Sequence, residues 1–302
     1  MKLRMMRSRL FVPGSRPELF DKAMRSGADV VCFDLQDAVA PDSKERAREA
    51  VANYLRNGLG AHASKAVMVR VNALDSGLID ADLAAVVVPG LQYINLPMIA
   101  CGRDVEIVCE LLSTLEAARR LSGRIEILAN IETPRSLRLA GEIADADLRV
   151  FALQAGFGDL FEPCGIDRGS AVATNHVRMT VRLAAAETGR LAYDAAFTAV
   201  SNLEGYRNEA EAARQLGFSG KSCIHPSQIA IANSVFLPSE QEVAWARKVV
   251  EAGDRALASG VGAILLDGYM IDAPFVEGAR ALLVRAEQSD GKPSPTGESA
   301  NA

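Results

Sequence analysis

Two carboxylates, Glu132 in Ile131-Glu132-Thr133-Pro134 and Asp159 in Gly156-Phe157-Gly158-Asp159, each follow a short apolar run. A third such run ends in Val69-Arg70-Val71-Asn72, and an earlier one is followed by Asp34 and Asp37. Two carboxylates suit a hard cation, because magnesium is held by one or two of them while water and substrate oxygens fill its other positions. A cation held in this way polarises a carbonyl and stabilises an enolate. The planar guanidinium of Arg70 matches a substrate carboxylate with two parallel hydrogen bonds, a task lysine performs less well. Each residue also has a plainly structural alternative. Glu132 falls in the N-cap region of a helix that Pro134 would begin, Asp159 sits in a turn after glycines, and Arg70 can brace the mouth through an ion pair with Asp34 or Asp37. The joint placement of Glu132 and Asp159 after successive runs favours the metal.

Other chemistries find less support. An imine route needs a lysine at the end of a strand. Lys65 and Lys221 instead precede apolar runs and are expected at the opposite rim, while Lys22 and Lys44 fall in loop or helix regions. Three histidines, His62, His176 and His225, are too few for a histidine-rich zinc or iron site. Cys32, Cys101, Cys109, Cys164 and Cys223 are odd in number and widely spaced. They read as small, reduced, buried residues. The net charge of −5 is interspersed along the chain without a basic stripe, which argues against a nucleic-acid partner. The opening MKLRMMRSRLFVPG breaks at Pro13-Gly14, too early for a signal-peptide core or membrane span, so no membrane and a cytoplasmic location are expected.

The elements that must position these groups are short apolar runs at residues 9–12, 30–35, 67–71, 93–96, 125–131, 150–153, 191–193 and 222–224. Near-continuous apolar runs such as Val30-Val31-Cys32-Phe33 fit strands covered on both faces, as in a parallel sheet wrapped by helices. The segments between them have helical patterning, for example residues 106–121 and 209–216, the latter ending at Gly217. Eight alternating units predict an α/β fold, a TIM (β/α)8 barrel, for which about 250 residues is typical. In such barrels the reacting groups sit on the loops after the strands, which is where Arg70, Glu132 and Asp159 lie.

The domain reading places the barrel over residues 1–237, a C-terminal helical extension over 238–287 and a disordered tail over 288–302. Within the extension, Pro238-Ser239 caps a helix over 240–259, the segment 268–274 follows, and a last helix spans 275–286. The tail is rich in Ser, Pro, Gly and charge, too polar to order itself.

The ordered set of motifs resembles the citrate lyase beta-subunit-like family, which includes malyl-CoA and citramalyl-CoA lyases. The likeness runs from Arg7 to about Ala286. It rests on Arg7-Ser8-x-Leu10-Phe11-Val12-Pro13-Gly14, Asp34-Leu35-x-Asp37-Ala38-Val39, Arg70-Val71-Asn72, Ile131-Glu132-Thr133-Pro134 and Gly158-Asp159-Leu160. Gly217-Phe218-x-Gly220-Lys221 with Ile224-His225-Pro226, and Gly268-x-Met270-Ile271-Asp272, complete it.

The resemblance implies a magnesium-dependent barrel, a homotrimer or hexamer, that cleaves or forms a carbon–carbon bond in a 3-hydroxyacyl thioester of coenzyme A. It implies that Glu132 and Asp159 are the metal ligands and that Arg70 grips the substrate carboxylate. It makes Asp272 an acid/base group placed into a neighbouring subunit's site, in competition with a simple N-cap role ahead of Pro274. Phe11, Lys22 and Ile224-His225-Pro226 match positions that contact the coenzyme. Two departures bear on substrate and rate. Gln36 stands where most relatives have glutamate, and Met98 where many have lysine. If those two family residues pair, losing both avoids stranding either charge. Three alternatives follow: a thioesterase on the same site, a non-catalytic thioester-binding subunit, and a coenzyme-independent 2-keto acid aldolase.

Overall fold

The computed structural model describes residues 6–62 and 65–290. They form two compact units, residues 6–236 and residues 237–290.

In the first unit eight parallel strands follow one another round a ring: β1 (Ser8–Pro13), β2 (Val30–Asp34), β3 (Ala66–Arg70), β4 (Tyr93–Leu96), β5 (Glu126–Ile131), β6 (Val150–Ala155), β7 (Leu191–Tyr193) and β8 (Lys221–Cys223). β8 returns to pair with β1, with Arg9 opposite Ser222. Between β7 and β8 the ring closes through a single parallel bridge, Asp194 to Lys221. The expected (β/α)8 barrel is therefore present. Every strand run anticipated from the sequence is found, with bounds shifted by a residue or two.

Side chains alternate across each strand. Leu10, Val12, Val31, Phe33, Val67, Val69, Ile94, Ile127 and Ile131 join the apolar core shared with the surrounding helices. The residues between them, Arg9, Cys32, Met68, Tyr93, Asn95, Leu128 and Asn130, are buried as well, so by alternation they fill the barrel lumen. An aromatic layer crosses it, with Phe151 centred 5.0 Å from Tyr93 and 6.3 Å from Tyr193. The lumen becomes polar toward the C-terminal ends of the strands.

The helices are ended by local chemistry. Ser170 Oγ caps the helix Ala171–Glu187, Asn202 caps Leu203–Gln215, and Gly217 follows the latter in the left-handed region at φ 85°.

In the second unit, Ser239 and Glu242 form a capping box for the helix Glu240–Ala258. A hairpin follows, β9 (Ala263–Leu266) and β10 (Tyr269–Asp272), turned by Asp267 and Gly268 at φ 48° and 86°. Asp-Gly between apolar runs is a hairpin signal, and this one adds to the helical extension expected there. The last helix, Ala273–Asp290, packs on Glu240–Ala258, where a Cβ on Gly253 would stand 2.4 Å from Val276. The expected tail over 288–302 lies outside the described residues from 291 onward. Among the described residues no helix is long and apolar enough to cross a membrane.

Candidate active site

A cavity of about 510 Å³ opens at the C-terminal ends of the strands. Of the residues singled out by sequence, Phe11, Arg70, Glu132, Asp159 and Ile224 line it, together with Asp34 and Asp37. The structure thus brings five predicted site residues together. Lys22 is exposed on the helix Phe20–Arg25 and does not line the cavity. His225 and Pro226 are exposed beyond β8, where His225 Nδ1 lies 2.8 Å from Ser227 Oγ and caps a short 3-10 turn. Asp272 belongs to the other unit, at the end of its hairpin, and its Oδ1 is buried with no hydrogen-bond partner among the described residues.

Arg70 takes the structural role the sequence allowed, with both acids at once. Its Nε and Nη2 donate to Asp34 at 2.8 and 2.5 Å, and its Nη1 donates to Asp37 at 3.1 Å. Burial works against the guanidinium, but the hydrogen bonds and charge of Asp34 and Asp37 more than offset it, so Arg70 stays charged. The guanidinium carbon also lies 5.2 Å from the centre of the Phe11 ring. Five donors are available on a guanidinium and these contacts occupy three, so the ion pairs leave donors for a substrate.

Glu132 stands just past β5 and is 3% exposed. Its Oε1 accepts the Met98 backbone N–H at 2.6 Å and its Oε2 accepts Asn130 Nδ2 at 3.1 Å, both neutral donors. Burial raises its pKa to about 7, helped by the charges of Asp159 and Asp37 and opposed by the Met98 N–H and by Arg70. Burial, with Asp159 and Asp34, also raises Asp37 despite Arg70. The site holds more negative charge than its own cations neutralise.

That imbalance fits a cation. The cavity's two arginines are taken by other acids, Arg70 by Asp34 and Asp37 and Arg168 by Glu209, so Glu132 and Asp159 make no ion pair among the described residues, and magnesium asks for only one or two protein carboxylates. No group of three or more His, Cys, Asp or Glu side chains forms a ready-made metal cage among the described residues. Glu162 lines the same cavity and was not anticipated.

Other contributors lie in the lumen or at its edge. Asn95 Nδ2 donates to Asn130 Oδ1 at 2.7 Å, which orients the Asn130 amide toward Glu132. Lys44 Nζ donates to the Leu35 and Gln36 carbonyls and to Asn72 Oδ1, pinning the loop that carries Asp34 and Asp37. Gly156 is required for Glu132 to sit where it does, because a Cβ there would stand 2.5 Å from Glu132 Cβ and 2.7 Å from Oε2. Of the two departures, Gln36 has a buried Oε1 without a partner among the described residues. Met98 exposes its side chain and gives the site only its backbone amide, with φ at 53°.

The imine route is closed on a corrected ground. Lys221 does not precede β8 but begins it, fully buried, with Nζ 2.6 Å from Asp194 Oδ2 and 3.0 Å from Glu209 Oε2. Of the cysteines, Cys32, Cys109 and Cys223 are buried as expected, Cys101 is half-buried and Cys164 is exposed. A separate groove of about 400 Å³ in the second unit is lined by Trp245, Val249, Phe275 and Leu282 and is almost wholly apolar.

A parallel barrel with charged groups gathered at the C-terminal ends of its strands defines a (β/α)8 enzyme. The chain belongs to the HpcH/HpaI aldolase/citrate lyase family, whose model matches residues 7–226. It is 37% identical over 290 residues to citrate lyase subunit beta of Escherichia coli strain K12, covering 95% of each chain. It is 33% identical over 308 residues to the L-malyl-CoA/beta-methylmalyl-CoA lyase of Rhodobacter capsulatus, covering 95% of this chain and 96% of the other. Among solved structures it is similar to the CitE protein of Mycobacterium tuberculosis in complex with magnesium, acetoacetate and coenzyme A. There the TM-score is 0.73 at 33% identity, over 93% of this chain and 97% of that one. The named relatives are lyases, and the resemblance drawn from the motifs holds.

Proposed function

We propose that this chain is a magnesium-dependent carbon–carbon lyase that cleaves or condenses a short 3-hydroxyacyl-CoA such as malyl-CoA or citramalyl-CoA. The observation that carries this reading is Glu132, a buried carboxylate met among the described residues only by neutral donors, facing a cavity shared with Asp159 and Arg70. Glu132 and Asp159 would hold the ion. Magnesium, when bound, supplies the positive charge that an enolate oxygen beside a thioester requires.

The chain's own residues do the rest. Asn130 and the Met98 amide fix the Glu132 carboxylate, leaving it little freedom to turn away. Arg70, held by Asp34 and Asp37, offers its remaining donors to the substrate carboxylate. Phe11 and Ile224 give the cavity an apolar wall. Lys22, His225 and Pro226, outside the cavity, are assigned to the coenzyme portion. Asp272 is assigned the proton that must leave the hydroxyl in cleavage and return in condensation. It would act from a neighbouring subunit, in a homotrimer or hexamer.

The test is a magnesium-dependent assay over a small thioester panel, with product analysis. Acetyl-CoA with glyoxylate or pyruvate is expected, while free coenzyme A alone would replace the lyase reading with a thioesterase. Magnesium calorimetry is expected to show binding to the wild type and none to Glu132→Ala. Equal binding to both would overturn the metal assignment and favour a non-catalytic subunit.

A further inference from the structure

Arg9 on β1 is fully buried inside the barrel and has no carboxylate partner among the described residues. Its guanidinium carbon lies 4.2 Å from the centre of the Tyr193 ring, and its Nε and Nη1 make no hydrogen bond among the described residues. Burial lowers its pKa, so the charge is held at a cost. For packing alone an apolar side chain would serve better. The two hydrogen bonds Arg9 does make suggest what the charge is for.

Both come from Nη2. One goes across the lumen to Gln154 Oε1 on β6 at 2.6 Å, the other to Ser222 Oγ on β8 at 3.1 Å. Gln154 and Ser222 both line the cavity, and Gln154 is paired in register with Asn130, the residue that holds Glu132. A guanidinium only donates, so Gln154 must turn its carbonyl oxygen to Arg9 and its amide nitrogen away from it. Ser222 Oγ adds a second donor to the same oxygen at 3.3 Å. No hydrogen bond occupies Gln154 Nε2 among the described residues, although the side chain is 6% exposed. An amide that would otherwise flip freely is locked with two N–H donors unspent, and a cation on its carbonyl polarises those donors further.

We propose that Gln154 is a substrate-contacting residue that donates from Nε2 to an oxygen of the acyl portion of the substrate, and that Arg9 is the positioning residue that sets this amide. The proposal rests on the lyase reading above and deepens it. The cavity then has two unlike sides, carboxylates for the cation at Glu132 and Asp159, and fixed amide donors at Gln154 for an oxygen that only accepts. Ser222 steadies the amide, and Tyr193 shields the cation beneath it.

The discriminating variant is Gln154→Glu. It keeps the size of the side chain and gives Arg9 a carboxylate, so the fold is retained, but it has no N–H to offer and repels an acceptor. Wild type, Gln154→Glu, Arg9→Met and Arg9→Lys are compared by kcat and KM on the thioester panel, by calorimetry with pyruvate and acetoacetate in magnesium, and by the melting-temperature rise on adding magnesium alone. Gln154→Glu is expected to lower kcat/KM and weaken keto-acid binding about tenfold to a hundredfold, with the magnesium response kept. Arg9→Met, which frees the amide, is expected to lower kcat/KM by a smaller factor without lowering the melting temperature. Arg9→Lys, still a donor-only group, should recover most of it, which a purely structural role for Arg9 would not produce.

If wild type turns over a thioester or binds the keto acids and Gln154→Glu does the same with unchanged constants, the proposal is overturned and the lyase reading stands. If Arg9→Met alone leaves both constants unchanged, the positioning role of Arg9 falls. If wild type turns over no thioester and binds neither keto acid, the lyase reading falls and this assignment with it.

Discussion

Asp194 and Glu132 are both carboxylates buried just past barrel strands, β7 and β5, and their surroundings are opposite. Asp194 receives Arg178 at 2.9 and 3.1 Å and Lys221 at 2.6 Å, and Glu209 in turn meets Lys221, Arg178 and Arg168. Against the upward push of burial, Lys221 and Arg178 hold the Asp194 pKa below its ordinary value. Glu132 has an amide and an asparagine instead, and its pKa goes the other way. The same residue class at the same depth is electrostatically complete in one place and short of a positive charge in the other. Burial by itself therefore says little about function, whereas the sign of the uncompensated charge indicates what belongs there.

The comparison can be broken first at its completed side. Lys221→Met leaves Asp194 with one cation and should cost about 3–5 kcal/mol in urea denaturation, the usual penalty for removing one partner of a buried pair. A variant as stable as wild type would show that the cluster is not what holds this part of the ring.

The incomplete side should respond with the opposite sign. Glu132 has a folded pKa of about 7 against 4.5 for the free side chain, so the folded protein holds its proton more tightly than the unfolded chain does. Stability of the magnesium-free protein should fall as pH rises from about 4.5 to about 7, by on the order of 3 kcal/mol. Below that window the term vanishes, and above it the full penalty remains. Magnesium should reverse the fall, and Glu132→Gln should flatten the profile and be more stable than wild type at pH 8. A wild-type profile that is level or rises across this window would contradict the reading of Glu132 as an uncompensated charge.

A smaller effect separates two neighbouring glycines. Gly156→Ala pushes a methyl into Glu132 and should cost about 1–3 kcal/mol by overpacking while weakening magnesium binding in calorimetry. Gly158→Ala meets nothing within 4 Å and should stay within about 0.5 kcal/mol of wild type. Equal effects from both would mean that contact with Glu132 is not what constrains position 156.

The ring of strands and the acids at its mouth were legible because strand ends in a parallel barrel coincide with the ends of apolar runs. Arg70 ends such a run, Glu132 directly follows one, and Asp159 comes after one across Gly156-Phe157-Gly158, so a one-dimensional reading finds them. Arg9, Asn95, Asn130 and Gln154 were missed for the complementary reason. Arg9, Asn95 and Asn130 sit within runs and Gln154 follows the run at 150–153 inside a strand that extends to Ala155, and only the alternation of faces, with the closure of the ring, sends them into a common lumen. Lys221 was placed outside its strand because charge at a run's edge reads as solvent-facing, while its partners Asp194 and Glu209 lie far from it in sequence. The hairpin at Asp267-Gly268 had its signal in the sequence, but the flanking strands are only four residues each.

Met98 adopts the left-handed region at φ 53°, a conformation that costs a side-chain-bearing residue about 1–2 kcal/mol, and in doing so aims its amide at Glu132. What position 98 gives the acid is thus a peptide group, common to every residue but proline. Exchange of a lysine for a methionine there leaves that gift intact, and a catalytic surface can change its letters while the backbone keeps the message.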